Sequence, residues 1–143
     1  VTNKVMVLVF LFISFSAYSC TCTDRSASEL IEAAEVIYAG YVVKTELVNS
    51  ELEIKTTFKV IETFKGETKD QEYVFTTENG GSCGIKYSVA NYYVILTDSL
   101  EKRVSSCSGW DVYYPYPINV GDSSVTGILP ELRKNKPYNR ANQ

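Results

Sequence analysis

Histidine is missing altogether from the 143 residues. That gap excludes a Ser-His-Asp or Cys-His nucleophile and any metal site held by imidazole. There is no P-loop and no G-x-G-x-x-G run, and Gly80-Gly81 is too short to cradle a phosphate alone. Basic residues are in deficit: 14 Lys and Arg stand against 17 Asp and Glu, scattered without a stripe. A nucleic-acid partner needs clustered cations to release counterions from phosphates, so none is expected. Carboxylate pairs such as Glu51 and Glu53 fall on the solvent face of an alternating strand, where hydration accounts for them. No cofactor and no enzymatic activity are expected, and binding is the remaining class. The chain also lacks internal repeats and low-complexity tracts, and its length suits one packed core rather than two.

What is present begins with an export signal. Lys4 is the charged end, Val5 to Phe15 the apolar run, and Ala17-Tyr18-Ser19 a small-x-small cleavage site. Eleven apolar-run residues cover roughly half of a bilayer core, too little for an anchor, and no later stretch is long enough to span. The expected organisation is a signal peptide over 1–19 and a single secreted domain over 20–143, beginning at Cys20 and carrying a net charge of −4. All four cysteines, Cys20, Cys22, Cys83 and Cys107, lie in that domain, and an even number in an exported chain implies disulfides. A bridge from Cys20 to Cys22 closes too tight a loop, which leaves two connectivities, both reaching across the chain. Each long loop stabilises the fold by roughly 4 kcal/mol. A zinc site of four thiolates is the competing reading, but the paired C-x-x-C spacing is absent.

Along the domain, Ser26-Ala27-Ser28-Glu29 reads as a capping box opening a short helix, with Leu30, Ile31, Ala33 and Ala34 as its apolar face and an end near Glu35. Val36 to Lys44 reads as the first strand, bulged or bent at Gly40. From Glu51 to Thr63 apolar and polar residues alternate, with Leu52, Ile54, Thr56, Phe58 and Val60 on the buried face. Lys65-Gly66-Glu67 is a turn, Glu72 to Thr77 a strand, Asn79-Gly80-Gly81 a loop, and Asn91 to Thr97 and Arg103 to Cys107 two further strands. Five short strands without βαβ spacing favour a small closed or partly closed β barrel. Trp110 to Pro117, crowded with aromatics and prolines, reads as an irregular cover over the core in preference to a carbohydrate- or peptide-binding strip. Ser124 to Lys134 reads as a weak terminal helix despite Pro130, and the tail from Asn135 as loose.

Six segments carry a resemblance. They are Cys20-Thr21-Cys22, the run from Glu35 to Val43, the run from Phe58 to Gly66, Gly81-Ser82-Cys83-Gly84, Tyr92 to Leu96, and Ser105-Ser106-Cys107-Ser108. In that order they resemble the inhibitory N-terminal domain of the tissue inhibitors of metalloproteinases, a netrin-like module. The resemblance spans the domain up to Trp110. It implies a mainly β fold, an OB-fold-like five-stranded Greek-key barrel, with one short N-terminal helix to which the terminal helix is added. It implies the pairs Cys20 with Cys83 and Cys22 with Cys107. It also implies that the free amine and carbonyl of Cys20 grip the catalytic zinc of a target protease while the side chain of Thr21 enters the adjacent pocket. Thr21, Cys22 and Thr23 together with Ser82, Cys83 and Gly84 then form the wedge that fills the target's cleft. The partner implied is an extracellular zinc metalloprotease, bound one to one by a monomer.

The family's third bridge has no counterpart, because 24–35 contains no cysteine, and its cysteine-rich C-terminal domain has none within these residues. Two alternatives stand beside this reading. One is a netrin-like binding module that touches no protease, since a fold does not dictate a function. The other takes Ala17-Tyr18-Ser19-Cys20 as a bacterial lipoprotein signal with Cys20 lipidated in the cell envelope. A large aliphatic residue is usual where Ala17 stands.

Overall fold

Strand sequences that bury one face alternate, whereas strands buried on both faces read as continuous apolar runs. Both kinds occur in this computed structural model, which describes residues 20–48, 52–77, 83–108, 110–113 and 127–136. The segment read as an export signal, Glu51 at the expected start of the second strand, the loop from Asn79 through Ser82, the aromatic stretch after Tyr113, the start of the expected terminal helix and the tail beyond Lys136 lie outside the described residues. The elements are α1 (Ala27–Ala33), β1 (Val36–Leu47), β2 (Glu53–Lys65), β3 (Gln71–Thr77), β4 (Tyr92–Thr97), β5 (Trp110–Val112) and α2 (Ile128–Asn135).

The fold is mainly β, an open five-stranded antiparallel sheet in the order β3-β2-β1-β4-β5, with two short helices. Its centre is β1 and β4, and Ile37 to Gly40 and Tyr93 to Thr97 are buried without interruption. Tyr38, Val42, Tyr93 and Ile95 face one core with Phe58, Val74, Ile85, Tyr87 and Val104. Ile37, Ala39, Val94 and Leu96 face a second core with Tyr113 and the apolar residues of α2. Leu30, Ile31, Ala34 and also Ala27 of the α1 region pack on that second core, while Ala33 is left exposed.

Gly40 sits at a shift of register between β1 and β2, as the bulge expectation required. A Cβ there would lie 2.8 Å from the Cβ of Phe58, so the missing side chain is what lets Phe58 lie against β1. On β2 the alternation holds in the middle, where Thr56 and Phe58 are buried. It fails at Leu52, which is 44% exposed beyond the end of the strand, where its backbone turns to φ +60°.

Two expectations are corrected. Arg103 to Cys107 is not a strand: it makes a single parallel bridge, Arg103 to Phe75, and then turns at Ser106-Cys107. The serines explain this, because Ser108 Oγ accepts from Ser105 N–H at 2.7 Å and Ser105 Oγ from Cys107 N–H at 3.2 Å, local bonds that replace a ladder. The fifth strand is instead Trp110–Val112, the beginning of the stretch read as irregular, paired with Tyr93 to Ile95.

The terminal helix forms as Ile128–Asn135, with Pro130 in its first turn, where a missing N–H costs nothing. No side chain of its own caps it. Asp111 of β5 does so from a distance, its Oδ2 accepting from Ile128 and Leu129 N–H at 2.8 and 3.0 Å. Arg133, buried on the inner face of α2, donates to both carboxylate oxygens of Glu62 on β2 at 3.0 and 2.8 Å and lies 5.0 Å from the Phe64 ring centre. Burial pushes the neighbouring Tyr113 phenol up to about 12, with the Glu62 charge adding to it. Among the described residues no helix is long and apolar enough to cross a membrane.

Candidate functional site

Residues 20 to 26 precede α1 without regular structure, and Cys20, Thr21, Cys22, Thr23, Asp24 and Arg25 are all exposed. Such a segment packs too little apolar surface to hold its own course. It is held covalently. Cys20 is bonded to Cys83, with Cα atoms 5.5 Å apart, and Cys22 to Cys107, with Cα atoms 5.2 Å apart. Of the two cross-chain connectivities open to the sequence, the structure has this one, and all four sulfurs are bonded in pairs rather than gathered as thiolates. Among the described residues no cluster of three or more His, Cys, Asp or Glu could hold a metal ion.

The downstream end of the segment is fixed by the capping box. Ser26 Oγ accepts from Glu29 N–H at 3.3 Å, and Glu29 Oε2 accepts from Ser26 N–H at 2.7 Å. The bond from the Ser26 backbone, then that from its hydroxyl, holds the Glu29 carboxyl below its usual range. At the other end of α1, Lys65 Nζ donates to the carbonyls of Ile31 and Glu32 at 3.0 and 2.9 Å, satisfying groups the last turn leaves open.

The Cys83 side of the site is held more tightly. Cys83 has φ +53°, a left-handed backbone that a side chain makes unfavourable. Its carbonyl accepts from Ser106 N–H at 2.7 Å, which ties the two disulfides into one patch. At Gly84 an ideal Cβ would stand 1.7 Å from the carbonyl oxygen of Thr77, so only glycine lets the chain pass the end of β3. One residue on, Ile85 N–H donates to the buried Thr76 Oγ1 at 2.9 Å. Cys83 is half-buried and Gly84 exposed.

The structure therefore brings Cys20, Thr21, Cys22 and Thr23 to one exposed edge beside Cys83, Gly84 and Cys107. Ser82, the remaining wedge residue, lies outside the described residues. The sequence reading missed Arg25, whose Nη2 donates to the Cys107 carbonyl at 3.0 Å, and Ser106. Arg25 stands between the cysteine pair and the capping box, a position from which a long cation reaches back over the second disulfide. A groove of about 300 Å³ runs along the same patch, lined by Cys22, Thr23, Arg25, Leu30, Trp110 and Ile128. Trp110, expected as core cover in preference to a binding strip, is 38% exposed there and packs edge-on to Tyr87. No protein-family model matches the chain, and no curated protein matches it.

Proposed function

We propose that the chain is a secreted inhibitor of zinc metalloendopeptidases, acting through a free N-terminal amine at Cys20 in the manner its resemblance to the tissue inhibitors of metalloproteinases implies. The observation that carries this reading is the exposed Cys20–Thr23 segment, clamped by two disulfides against Cys83-Gly84 and Cys107. A barrel of the netrin-like, OB-fold kind is supported by the neighbouring order β3-β2-β1-β4, which a Greek key requires. The bridge from Phe75 to Arg103 supports partial closure at the β3 edge.

A catalytic zinc keeps one position for water. The α-amine of Cys20 and its own carbonyl oxygen close a five-membered chelate ring at that position and displace the water, so hydrolysis stops. An α-amine titrates near 8 and yields its proton to a metal more readily than a lysine amine near 10.4. Thr21 then points into the adjacent pocket, and Cys22, Thr23, Ser82, Cys83 and Gly84 fill the cleft on either side. Because the clamp exists before binding, association costs less ordering. The inhibitor needs no cofactor of its own and binds one to one as a monomer. Engagement of the Cys20 sulfur with Cys83 supports secretion over lipid anchorage, because a lipidated sulfur cannot form that bridge.

The test is titration of a panel of zinc endopeptidases with protein whose first residue is Cys20, beside a variant carrying one alanine before it. Inhibition by the first and a loss of at least about 100-fold in the second is the expected outcome. Equal potency of the two rules out chelation, and no inhibition at micromolar concentration across the panel leaves a netrin-like binding module.

A further inference from the structure

The two disulfides differ in what surrounds them. Both halves of one bridge, Cys22 and Cys107, line the groove of about 300 Å³, together with Asp24 and Arg25. Cys22 is exposed and Cys107 half-buried, so an incoming thiol has its approach on the Cys22 side. Arg25 holds its guanidinium at the Cys107 backbone, Nη2 donating to the carbonyl at 3.0 Å, whereas the acid of the groove, Asp24, lies two residues from Cys22. A cation beside one cysteine favours its thiolate, and the sulfur that bears charge more readily is the better leaving group. The other bridge is backed differently. The Cys83 carbonyl accepts from Ser106 N–H at 2.7 Å, and the next residue, Gly84, passes so close to the Thr77 carbonyl that the turn is held against the end of β3. Cys22–Cys107 is thus the covalent tie of the middle of the exposed 20–25 segment, between the tether at Cys20 and the cap at Ser26.

We propose that the Cys22–Cys107 disulfide is a redox switch, opened selectively by a thiol reductant through this groove while Cys20–Cys83 stays closed. An external thiolate attacks Cys22 Sγ, the bond between the two Sγ atoms breaks, and the electron pair leaves on Cys107 Sγ, which takes a proton from water. A second thiol attacks the mixed disulfide at its external sulfur and frees Cys22, so the bridge gains two electrons and two protons while two external thiols become one disulfide. The ordering that the bridge supplies in advance then falls on the binding step. On the reading of the chain as an inhibitor, on which this consequence rests, the reduced form is the weak one.

The experiment exposes the disulfide-bonded protein, without denaturant, to graded reduced glutathione, quenches with iodoacetamide and maps every cysteine by peptide mass. The expected first product carries glutathione on Cys22 and the alkyl group on Cys107 with Cys20–Cys83 intact, and unquenched samples returned to oxidised glutathione regain the bridge. Opening of Cys20–Cys83 first or at the same rate, glutathione on Cys107, or no opening short of unfolding overturns the proposal. In a second arm the double variant Cys22→Ser/Cys107→Ser is titrated beside the intact protein against a panel of zinc endopeptidases. A loss of at least about tenfold is expected, and equal potency overturns the switch. If the intact protein inhibits none of the panel, it is the inhibitor reading that fails, and the glutathione arm still decides the selective opening.

Discussion

Gly84 is where a single atom decides the local course of the chain. Gly84→Ala places a methyl group inside the Thr77 carbonyl, a contact that backbone alone can relieve, so the Cys83 loop must move. A loss of about 2 kcal/mol or more in urea unfolding is expected, with the midpoint falling and the disulfides intact. Nothing in the letters around Cys83-Gly84 distinguished this glycine from one in an ordinary turn, since the oxygen it must clear belongs to another strand.

Acid acts at the same scale. Burial raises the Glu72 carboxyl, but the Lys102 side chain and the Lys69 N–H outweigh it and hold the group below its usual range. Burial likewise raises Asp98, and the N–H groups of Lys102, Glu101 and Leu100 outweigh it, with the carboxyl again held low. Groups with a depressed native pKa contribute stability above their unfolded pKa and lose it as pH falls through the native one. The Tm is therefore expected to be flat near neutrality and to fall once the pH drops below the ordinary carboxylate range. Asp98→Asn should make that fall shallower in a pH series of melting curves.

Among the elements, the two helices show opposite degrees of legibility. The capping box of α1 was readable from Ser26 and Glu29 because both partners lie within four residues. The start of α2 was not, because its cap is Asp111, seventeen residues earlier and on a strand the sequence did not announce. Asp111→Ala is expected to cost about 1 kcal/mol in denaturant unfolding, the usual worth of a lost cap. Glu62→Ala is expected to cost more, about 3 kcal/mol, because it strands the Arg133 guanidinium, whose side chain is only 3% exposed. Equal costs for the two variants would mean that Arg133 finds another partner. The missed strand β5 has a similar origin: three residues carry too little periodicity to be seen, and pairing with β4 supplies what the pattern lacks.

For the whole molecule the two disulfides set the terms. They close loops with separations of 63 and 85 residues, and each reduces the freedom of the unfolded chain by roughly 4 kcal/mol. Replacing Cys22 and Cys107 together by serine is expected to lower unfolding stability by about that amount. It should also release the groove side of the 20–25 segment while Cys20 stays tied to Cys83, which peptide-resolved hydrogen exchange over 20–26 reads directly. Local chemistry made the sequence sufficient for the class of fold, the first four strands, the first helix and the cross-chain character of the bridges, since periodicity, a capping box and an even set of cysteines act over short distances. Spacing alone left two connectivities open and only the resemblance pointed to Cys20 with Cys83 and Cys22 with Cys107, the pairing the structure has; the fifth strand, the cap of α2 and the approach of Arg25 to Cys107 were decided only in the folded chain. Each depends on groups far apart in sequence whose proximity is set by how the sheet packs, and no local pattern encodes that distance.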